Sequence, residues 1–308
     1  MEVKEKWPLV LKILLGLVFI VSAILKIAEL DQFEVYVFSY RFFSLSFSFL
    51  VARVAIIIEL ILGIGLISNC FHKLMWWGSV AMLAVYTLLL VYAQMIGRTD
   101  SCHCFGDFLP LNPWQSILKN VVLLGLFALV YKVKGFSFKG QRLALAGLAV
   151  AATVAVFVMS PPDNYTSDYR PEKILNEVLF NEMISNPPLD TCYLNEGKQV
   201  VCLFSTSCEL CQLAARKLAV MQRHDGFPPE RITFVFMGSE EGVKAFCEQT
   251  ETGYRSVLYE DVKGLLKVND GKFPTLAFLE QGTLVHEYGL RNMKEMEIKA
   301  FFTQNDYK

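Results

Sequence analysis

Five apolar segments, each long enough to cross a lipid bilayer, constrain this chain more than any other feature of its sequence. A membrane-spanning helix needs about 20 consecutive apolar residues. All five segments lie before residue 160: Pro8–Ala28, Phe49–Ile67, Leu74–Ile96, Trp114–Tyr131 and Leu143–Met159. The sequence therefore predicts a membrane α-helical bundle in the first half of the chain.

The charged residues divide the chain at the same place. Residues 1–160 carry 13 Lys and Arg against 8 Asp and Glu, whereas residues 161–308 carry 16 against 22. The second part therefore has the charge content of a water-soluble domain. With a net charge of −1 and no basic cluster, the chain has no electrostatic footprint for nucleic acid, so we expect no nucleic-acid partner.

The positions of Lys and Arg predict the orientation in the membrane, because these residues are enriched in cytoplasmic loops. If the N-terminus is cytoplasmic, the outer loops 29–48 and 97–113 contain only Arg41 and Arg98. The inner segments then contain seven basic residues: Lys4, Lys6, Lys73, Lys132, Lys134, Lys139 and Arg142. We therefore expect a multi-pass protein of a bacterial inner membrane, with residues 160–308 outside the cytoplasm, in the periplasm.

Several ionisable residues lie within or beside the predicted spans, where charge is costly and often functional. Arg53 and Glu59 fall in the second span, and Glu59 is near the middle of the bilayer. Glu59 must form an ion pair, stay protonated or line a polar cavity, and both a structural and a catalytic role stay open. We expect Lys26 and Glu29, at the end of the first span, to extend to the membrane interface.

Residues after the Ser160-Pro-Pro linker alternate between helical and strand-like patterns. Such an order predicts an α/β domain with a central sheet. The predicted helices are 171–185, 208–223, 240–248 and 293–303, and the predicted strands are 191–194, 198–205, 232–237, 275–279 and 283–288.

Cys208-Glu-Leu-Cys211 follows a predicted strand and opens a predicted helix. A Cys in the first turn of a helix lies near unpaired backbone N–H groups, which favour its thiolate. We expect Cys208 to attack as the thiolate and Cys211 to be the buried, resolving thiol, while the carboxylate of Glu209 opposes the lowering of the pKa. The alternative, half of a zinc site, needs a second Cys or His pair, which His224 and Cys247 do not supply.

Cys202 lies within the strand before this motif. We expect it to be a buried core residue, because free Cys is commonly buried. A disulfide with Cys192 is the alternative, since the two residues lie symmetrically about Gly197 and a tight hairpin would place them opposite each other.

A second cysteine pair, Cys102 and Cys104, lies in the outer loop between the third and fourth spans. A disulfide across one intervening residue closes a small, strained ring, and strained disulfides are labile and oxidising. These cysteines therefore suit a redox relay. The alternative is a soft-metal site, because two Cys and His103 are ligands for copper or zinc.

Residues 188–308 resemble the thioredoxin fold, through Cys208-x-x-Cys211 after a strand and Phe273-Pro274-Thr275 before a hairpin. The resemblance implies that Pro274 is a cis-proline that faces the active-site sulfurs and, with Phe273, supports binding of an extended client chain. Ser207 replaces the aromatic residue that commonly precedes the first Cys. Cys202 stands where thioredoxins carry a buried acid, which puts proton transfer through a carboxylate in doubt.

Residues 8–131 resemble the DoxX-like family that includes the methylamine-utilisation protein MauE. The resemblance is carried by Ser22-Ala-Ile-Leu-Lys26 with Phe33 and Tyr40, by Glu59-Leu-Ile-Leu-Gly63-Ile-Gly65, and by Arg98 ahead of Cys102-His-Cys-Phe-Gly106. It implies a four-helix membrane bundle linked to redox maturation of exported proteins. We expect a membrane domain over residues 1–135, a fifth span and linker over 136–162, and a thioredoxin-like domain over 163–308.

Together these features predict a thiol:disulfide oxidoreductase embedded in the lipid bilayer. Cys208 and Cys211 exchange disulfides with exported proteins, and Cys102 and Cys104 reset them. By analogy with other four-helix redox proteins, a membrane quinone accepts the electrons. The alternatives are a Cys-His-Cys metal-binding protein and a redox-inactive chaperone for an exported partner. The sequence does not determine whether clients are oxidised, reduced or isomerised.

Overall fold

The computed structural model describes residues 3–95, 112–162 and 174–303. The chain forms two compact units, and along the sequence the first gives way to the second between Pro161 and Pro162. The predicted outer-loop residues Arg98, Cys102 and Cys104 lie outside the described residues.

Five long helices of the N-terminal unit are long and apolar enough to cross a membrane. Each predicted span extends beyond its helix by at most one residue, so the prediction of a multi-pass membrane bundle is confirmed. The spans are α1 (Val3–Ala28), α3 (Leu45–Ile67), α4 (His72–Met95), α5 (Pro113–Val130) and α6 (Gln141–Met159). A short helix that the sequence analysis did not predict, α2 (Leu30–Ser39), lies between the first two spans.

Helices α1 and α3 approach each other closely at a pair of glycines. A Cβ atom placed on Gly16 would lie 2.7 Å from the carbonyl oxygen of Gly63, and a Cβ on Gly63 would lie 2.7 Å from the carbonyl oxygen of Gly16. Small residues permit such an approach between membrane helices, whose association depends on packing rather than on the hydrophobic effect. The contact brings the polar residues of α1 and α3 within reach of each other.

Lys26 and Glu59 form a buried ion pair in this unit. The Nζ atom of Lys26 lies 2.7 and 3.0 Å from the two carboxylate oxygens of Glu59, and it also donates to Ser22 Oγ at 2.6 Å. The Lys26 side chain is only 2% exposed, so the expectation that it extends to the membrane interface is wrong. A carboxylate within hydrogen-bonding reach removes the need for the ammonium group to reach water.

Arg53 forms a second buried ion pair, with Glu34 of α2. Its guanidinium group also donates to the backbone carbonyls of Phe49 at 2.8 Å and Ser160 at 2.9 Å. Arg53 and Glu34 are each 1% exposed. Both charged residues predicted in the second span are therefore neutralised inside the protein, as burial of charge requires.

The C-terminal unit is a five-stranded sheet covered by helices on both faces. The strand order is β3-β2-β1-β4-β5. Strands β1, β2 and β3 run parallel to one another, β4 runs antiparallel to β1, and β5 runs antiparallel to β4. This arrangement, with the Cys-x-x-Cys motif after the central strand, confirms the thioredoxin-like fold. The elements are α7 (Glu177–Ser185), β1 (Lys198–Ser205), α8 (Glu209–Asp225), β2 (Ile232–Met237), α9 (Glu240–Thr250), β3 (Arg255–Leu258), α10 (Val262–Val268), β4 (Thr275–Glu280), β5 (Thr283–Tyr288) and α11 (Glu295–Thr303).

Strand β1 is buried along its whole length, as a central strand covered on both faces should be. Val201 and Leu203 pack with α7 and α10 on one face. Phe204 points to the other face, where it contacts an aromatic cluster that includes Phe234 and Phe246. The two hydrophobic layers fix the strand from which the Cys-x-x-Cys motif emerges.

The predicted strand at residues 191–194 is wrong. Asp190–Cys192 forms a short 3-10 helix instead, and Cys192 packs in the same core layer as Val201 and Leu203. Because side chains alternate along a strand, Cys202 lies on the opposite face of the sheet from Cys192. Neither thiol forms a disulfide with a described residue, and Cys202 is fully buried, as we expected of a core cysteine.

Candidate active site

The turn after β1 places Cys208 at the N-terminus of α8. The N–H of Cys208 donates to the carbonyl of Ser205, and the extended backbone of Cys208 makes it the N-cap of the helix. Its Sγ accepts a hydrogen bond from the N–H of Cys211 at 3.2 Å. The thiol therefore occupies the position of a capping oxygen, where it satisfies one of the helix's unpaired donors.

This position favours the Cys208 thiolate. The hydrogen bond between the Cys208 and Cys211 side chains, assisted by the N–H groups of Leu210 and Cys211, lowers the pKa of Cys208 to about 6, although burial and the charge of Glu209 oppose the shift. Cys208 is partly exposed. A partly exposed thiol that is mostly ionised at neutral pH is a nucleophile accessible to another protein.

Cys211 has the opposite character. It is completely buried, and burial raises its pKa well above the ordinary value, with the hydrogen bond to Cys208 adding to the rise. Its thiol therefore stays protonated while Cys208 is ionised. One exposed thiolate and one buried thiol, three residues apart on the first turn of a helix, can form and break a disulfide in two successive steps.

The segment Phe273–Pro274 lies beside this pair because of the sheet register. Strand β4 runs antiparallel to β1, and its first residue, Thr275, pairs with Leu203 near the end of β1. The Phe273–Pro274 peptide bond is cis, as the resemblance to thioredoxins implied for Pro274. The two residues before Thr275 therefore lie at the end of the sheet from which the Cys208 turn emerges.

Two further residues, Ser207 and Cys202, lie close to the motif. Ser207, directly before Cys208, has its hydroxyl 3.3 Å from that of Ser205. Burial raises the pKa of the Cys202 thiol well above the ordinary value, so this thiol stays neutral. A neutral thiol therefore stands near Cys211 where thioredoxins carry an acid.

Of the candidate residues predicted in the membrane half, the two that the structure describes form separate ion pairs. Glu59 pairs with Lys26 and Arg53 pairs with Glu34, while Arg98, Cys102 and Cys104 lie outside the described residues. Within the described ranges, no cluster of three or more His, Cys, Asp and Glu side chains could hold a metal ion. The predicted Cys-His-Cys alternative also falls outside those ranges.

A small cavity within the membrane unit is lined in part by Glu59, which was one of the alternatives left open for this residue. It lies among α1, α3, α4 and α5, and the Lys26–Glu59 pair forms part of its wall. The sequence signal that could have indicated it is the presence of a Lys and a Glu in separate apolar spans, because each would need the other. Its lining residues are Val18, Phe19, Ser22, Lys26, Glu59, Met82, Leu83, Tyr86, Lys119, Asn120 and Leu123.

Comparisons with known proteins cover both halves of the chain. Residues 4–133 match the family described as "Methylamine utilisation protein MauE", which confirms that the membrane half resembles that family. The methylamine utilization protein MauE of Paracoccus denitrificans is 29% identical over 38% of this chain and 63% of its own length. Protein TlpB of Flavobacterium psychrophilum is 24% identical and aligns over 93% of this chain and 92% of its own length, so both units are included.

A solved structure also matches part of the chain. It is a secreted disulfide oxidoreductase of Mycobacterium tuberculosis, described as homologous to DsbE of E. coli. The match is 14% identical, covers 34% of this chain and 80% of that protein, and has a TM-score of 0.28.

Proposed function

From a MauE-type membrane domain joined to a thioredoxin-like domain, we propose that this protein is a membrane-bound thiol:disulfide oxidoreductase that acts on exported proteins. The observation that carries the proposal is the asymmetry of the cysteine pair. Cys208 is a partly exposed thiolate with a pKa of about 6, and Cys211 is a buried, protonated thiol.

The chemistry follows from this asymmetry. When the pair is reduced, the Cys208 thiolate attacks a client disulfide, forms a mixed disulfide and releases one client thiolate. Cys211 then loses its proton and attacks Cys208, which releases the second client thiolate and leaves the Cys208–Cys211 disulfide. The reverse sequence oxidises a client dithiol. Pro274, Phe273 and Ser207, around the pair, support the bound client chain.

A relay through the membrane domain resets the pair. In the oxidising direction, reduced Cys208 and Cys211 pass two electrons to a Cys102–Cys104 disulfide by exchange through a mixed disulfide. A membrane quinone then takes two electrons and two protons from the resulting dithiol and becomes a quinol. Support comes from the distribution of Lys and Arg, which favours an orientation with loop 97–113 and residues 160–308 on the same, periplasmic side of the inner membrane.

The test is turnover of a disulfide-containing protein substrate by the full-length protein in lipid nanodiscs. We expect Cys208→Ser to abolish exchange, whereas Cys247→Ser, which removes another partly exposed thiol, should retain it. Equal turnover in the wild type and in Cys208→Ser would refute the proposal. Absence of turnover in the wild type, with substrate binding unchanged in Cys208→Ser, would instead indicate a redox-inactive chaperone.

A further inference from the structure

The turn that presents Cys208 begins where β1 ends. The N–H of Cys208 donates to the carbonyl of Ser205 at 3.1 Å, so Thr206 and Ser207 are the two central residues of a β-turn. The direction in which the chain leaves β1 therefore depends on the position of Thr206. A displacement of Thr206 moves Cys208, which follows it by two residues.

The backbone of Thr206 is attached to the neighbouring strand. Ser205 pairs with Met237 at the end of the parallel ladder between β1 and β2. The N–H of Thr206 donates to the carbonyl of Met237 at 3.0 Å and so continues the hydrogen bonding one residue beyond β1. The side chain of Thr206 consequently lies against the connection between β2 and α9, which consists of residues 238–239.

Gly238, in that connection, leaves room for the Thr206 side chain. A Cβ atom on Gly238 would lie 2.7 Å from Cγ2 and 2.9 Å from Cβ of Thr206, and closer still to its hydroxyl oxygen. The φ angle of Gly238 is +148°, in a region that residues with a side chain rarely adopt. Both the space and the backbone conformation therefore require glycine at this position.

Gly242 lies against Thr206 from the first turn of α9. A Cβ atom on Gly242 would lie 2.9 Å from both Cβ and Oγ1 of Thr206. Its backbone is helical, and its N–H donates to the N-cap side chain of Ser239 at 3.1 Å. Alanine is more favourable than glycine within a helix, so helix formation does not explain this glycine. The close approach of Thr206 does.

We infer that Thr206, held against Gly238 and Gly242, is a positioning residue for the Cys208 thiolate. The inference rests on the proposed function, and it assigns the connection between β2 and α9 a role in the reactivity of a cysteine on a different helix. Thr206 acts on disulfide exchange through the location of Cys208 and takes no part in the transfer of electrons.

The hydrogen bond to the Cys208 sulfur makes its reactivity sensitive to such positioning. The turn through Thr206 places Cys208 at the N-cap of α8, where its Sγ lies 3.2 Å from the N of Cys211. A hydrogen bond weakens as its atoms separate or lose alignment. A thiolate displaced from this position loses stabilisation, which raises its pKa and makes it a weaker nucleophile at neutral pH.

The experiment measures the rate at which Cys208 reacts with iodoacetamide as a function of pH, in reduced full-length protein in nanodiscs. Gly242→Ala should displace Thr206 and raise the pKa of Cys208 from about 6 to about 7. The rate at pH 5 should then fall about tenfold, because the thiolate is the reacting form. Gly253→Ala is the matched control, since a Cβ there meets nothing within 4 Å beyond its chain neighbours, and its midpoint should not change.

Substitutions of Thr206, which only shorten a half-buried side chain, test the inference without adding an atom. Thr206→Ala removes the hydroxyl and methyl that lie against Gly238 and should raise the midpoint. Thr206→Ser keeps the hydroxyl and should stay close to the wild type. Thermal unfolding shows which variants are folded, and a purely structural role would lower the melting temperature without moving the midpoint.

A wild-type midpoint in folded Gly242→Ala and in Thr206→Ala would overturn the inference. So would a midpoint in Thr206→Ser that rises as far as in Thr206→Ala. Either result, with disulfide exchange by the wild type intact, refutes the positioning role alone. Absence of exchange in the wild type, whatever the midpoints, refutes the proposed function instead.

Discussion

The reactivity of the site depends on the position of one sulfur atom. Cys208 caps α8, so the N–H of Cys211 is directed at its Sγ and its thiolate is stabilised. The spacing of the motif after a strand was sufficient to predict which thiol would be exposed and which buried. The magnitude of the pKa difference was not predictable, because it depends on how deeply β1 and α8 bury Cys211.

We predict that alkylation of Cys208 in reduced protein follows a single titration with a midpoint near pH 6. Because the pKa is lowered, reactivity should be complete above that pH and should fall as the pH drops through it. Rates of reaction with iodoacetamide, measured by mass spectrometry of the Cys208 peptide between pH 4 and 9, test this. A midpoint near 9, the ordinary value for a thiol, would contradict the hydrogen-bonded geometry.

The charge of Glu209 opposes ionisation of its neighbour. Glu209→Gln should therefore lower the pKa of Cys208 below that of the wild type and make the Cys208–Cys211 disulfide more oxidising, since a more stable thiolate favours the reduced form. The matched control is Glu241→Gln on the separate helix α9. An unchanged or raised pKa in Glu209→Gln would show that the carboxylate does not act on the thiolate.

At the scale of elements, hydrophobic periodicity and segment length predicted a helix or strand reliably where a single physical requirement, such as the thickness of the bilayer, determines its length. The five spans were predicted closely because a bilayer fixes their length. The four-residue strand β3 and the seven-residue helix α10 were missed because each is too short for its pattern to stand out. Helix α2 was missed because it lies in a segment between two apolar spans that was interpreted as an outer loop. The strand predicted at 191–194 failed because packing of Cys192 in the core overrode a weak strand pattern.

The ion-pair partner of Lys26 could not be predicted from the sequence pattern, for a different reason. A Lys near the end of an apolar span usually reaches the interface, and its sequence position alone does not identify its partner, which lies 33 residues away. The pairing with Glu59 depends on how α1 and α3 pack, with Gly16 and Gly63 in contact. Helix packing in three dimensions is the information that the sequence pattern lacked.

We predict that the Lys26–Glu59 pair behaves as a unit. Lys26→Met alone and Glu59→Leu alone should each lower the free energy of unfolding by about 3–5 kcal/mol, because each leaves an unpaired buried charge. The double variant should recover most of that loss. Unfolding in detergent, measured by tryptophan fluorescence, tests the cycle, and additive losses in the double variant would show that the two charges are independent.

At the scale of the whole molecule, the proposed relay requires both cysteine pairs on one side of the membrane. Alkaline phosphatase, active only outside the cytoplasm, should be active when fused after residue 162 and inactive when fused after residue 135. Green fluorescent protein fusions at the same positions should give the reverse pattern. Phosphatase activity at residue 135 would place the basic segment outside and exclude the orientation inferred from the positive residues.

The most direct test of the central claim is a trap for the mixed disulfide. In Cys211→Ser, a mixed disulfide formed by Cys208 has no second thiol to resolve it and should persist. Membranes prepared with free thiols blocked should therefore contain Cys208 joined to exported proteins, to Cys102 or to Cys104. Non-reducing peptide mass spectrometry identifies these links. A link to Cys102 or Cys104 would establish the relay. If Cys208 is recovered only as a free thiol, even with excess oxidant, the protein does not carry out thiol–disulfide exchange through this pair.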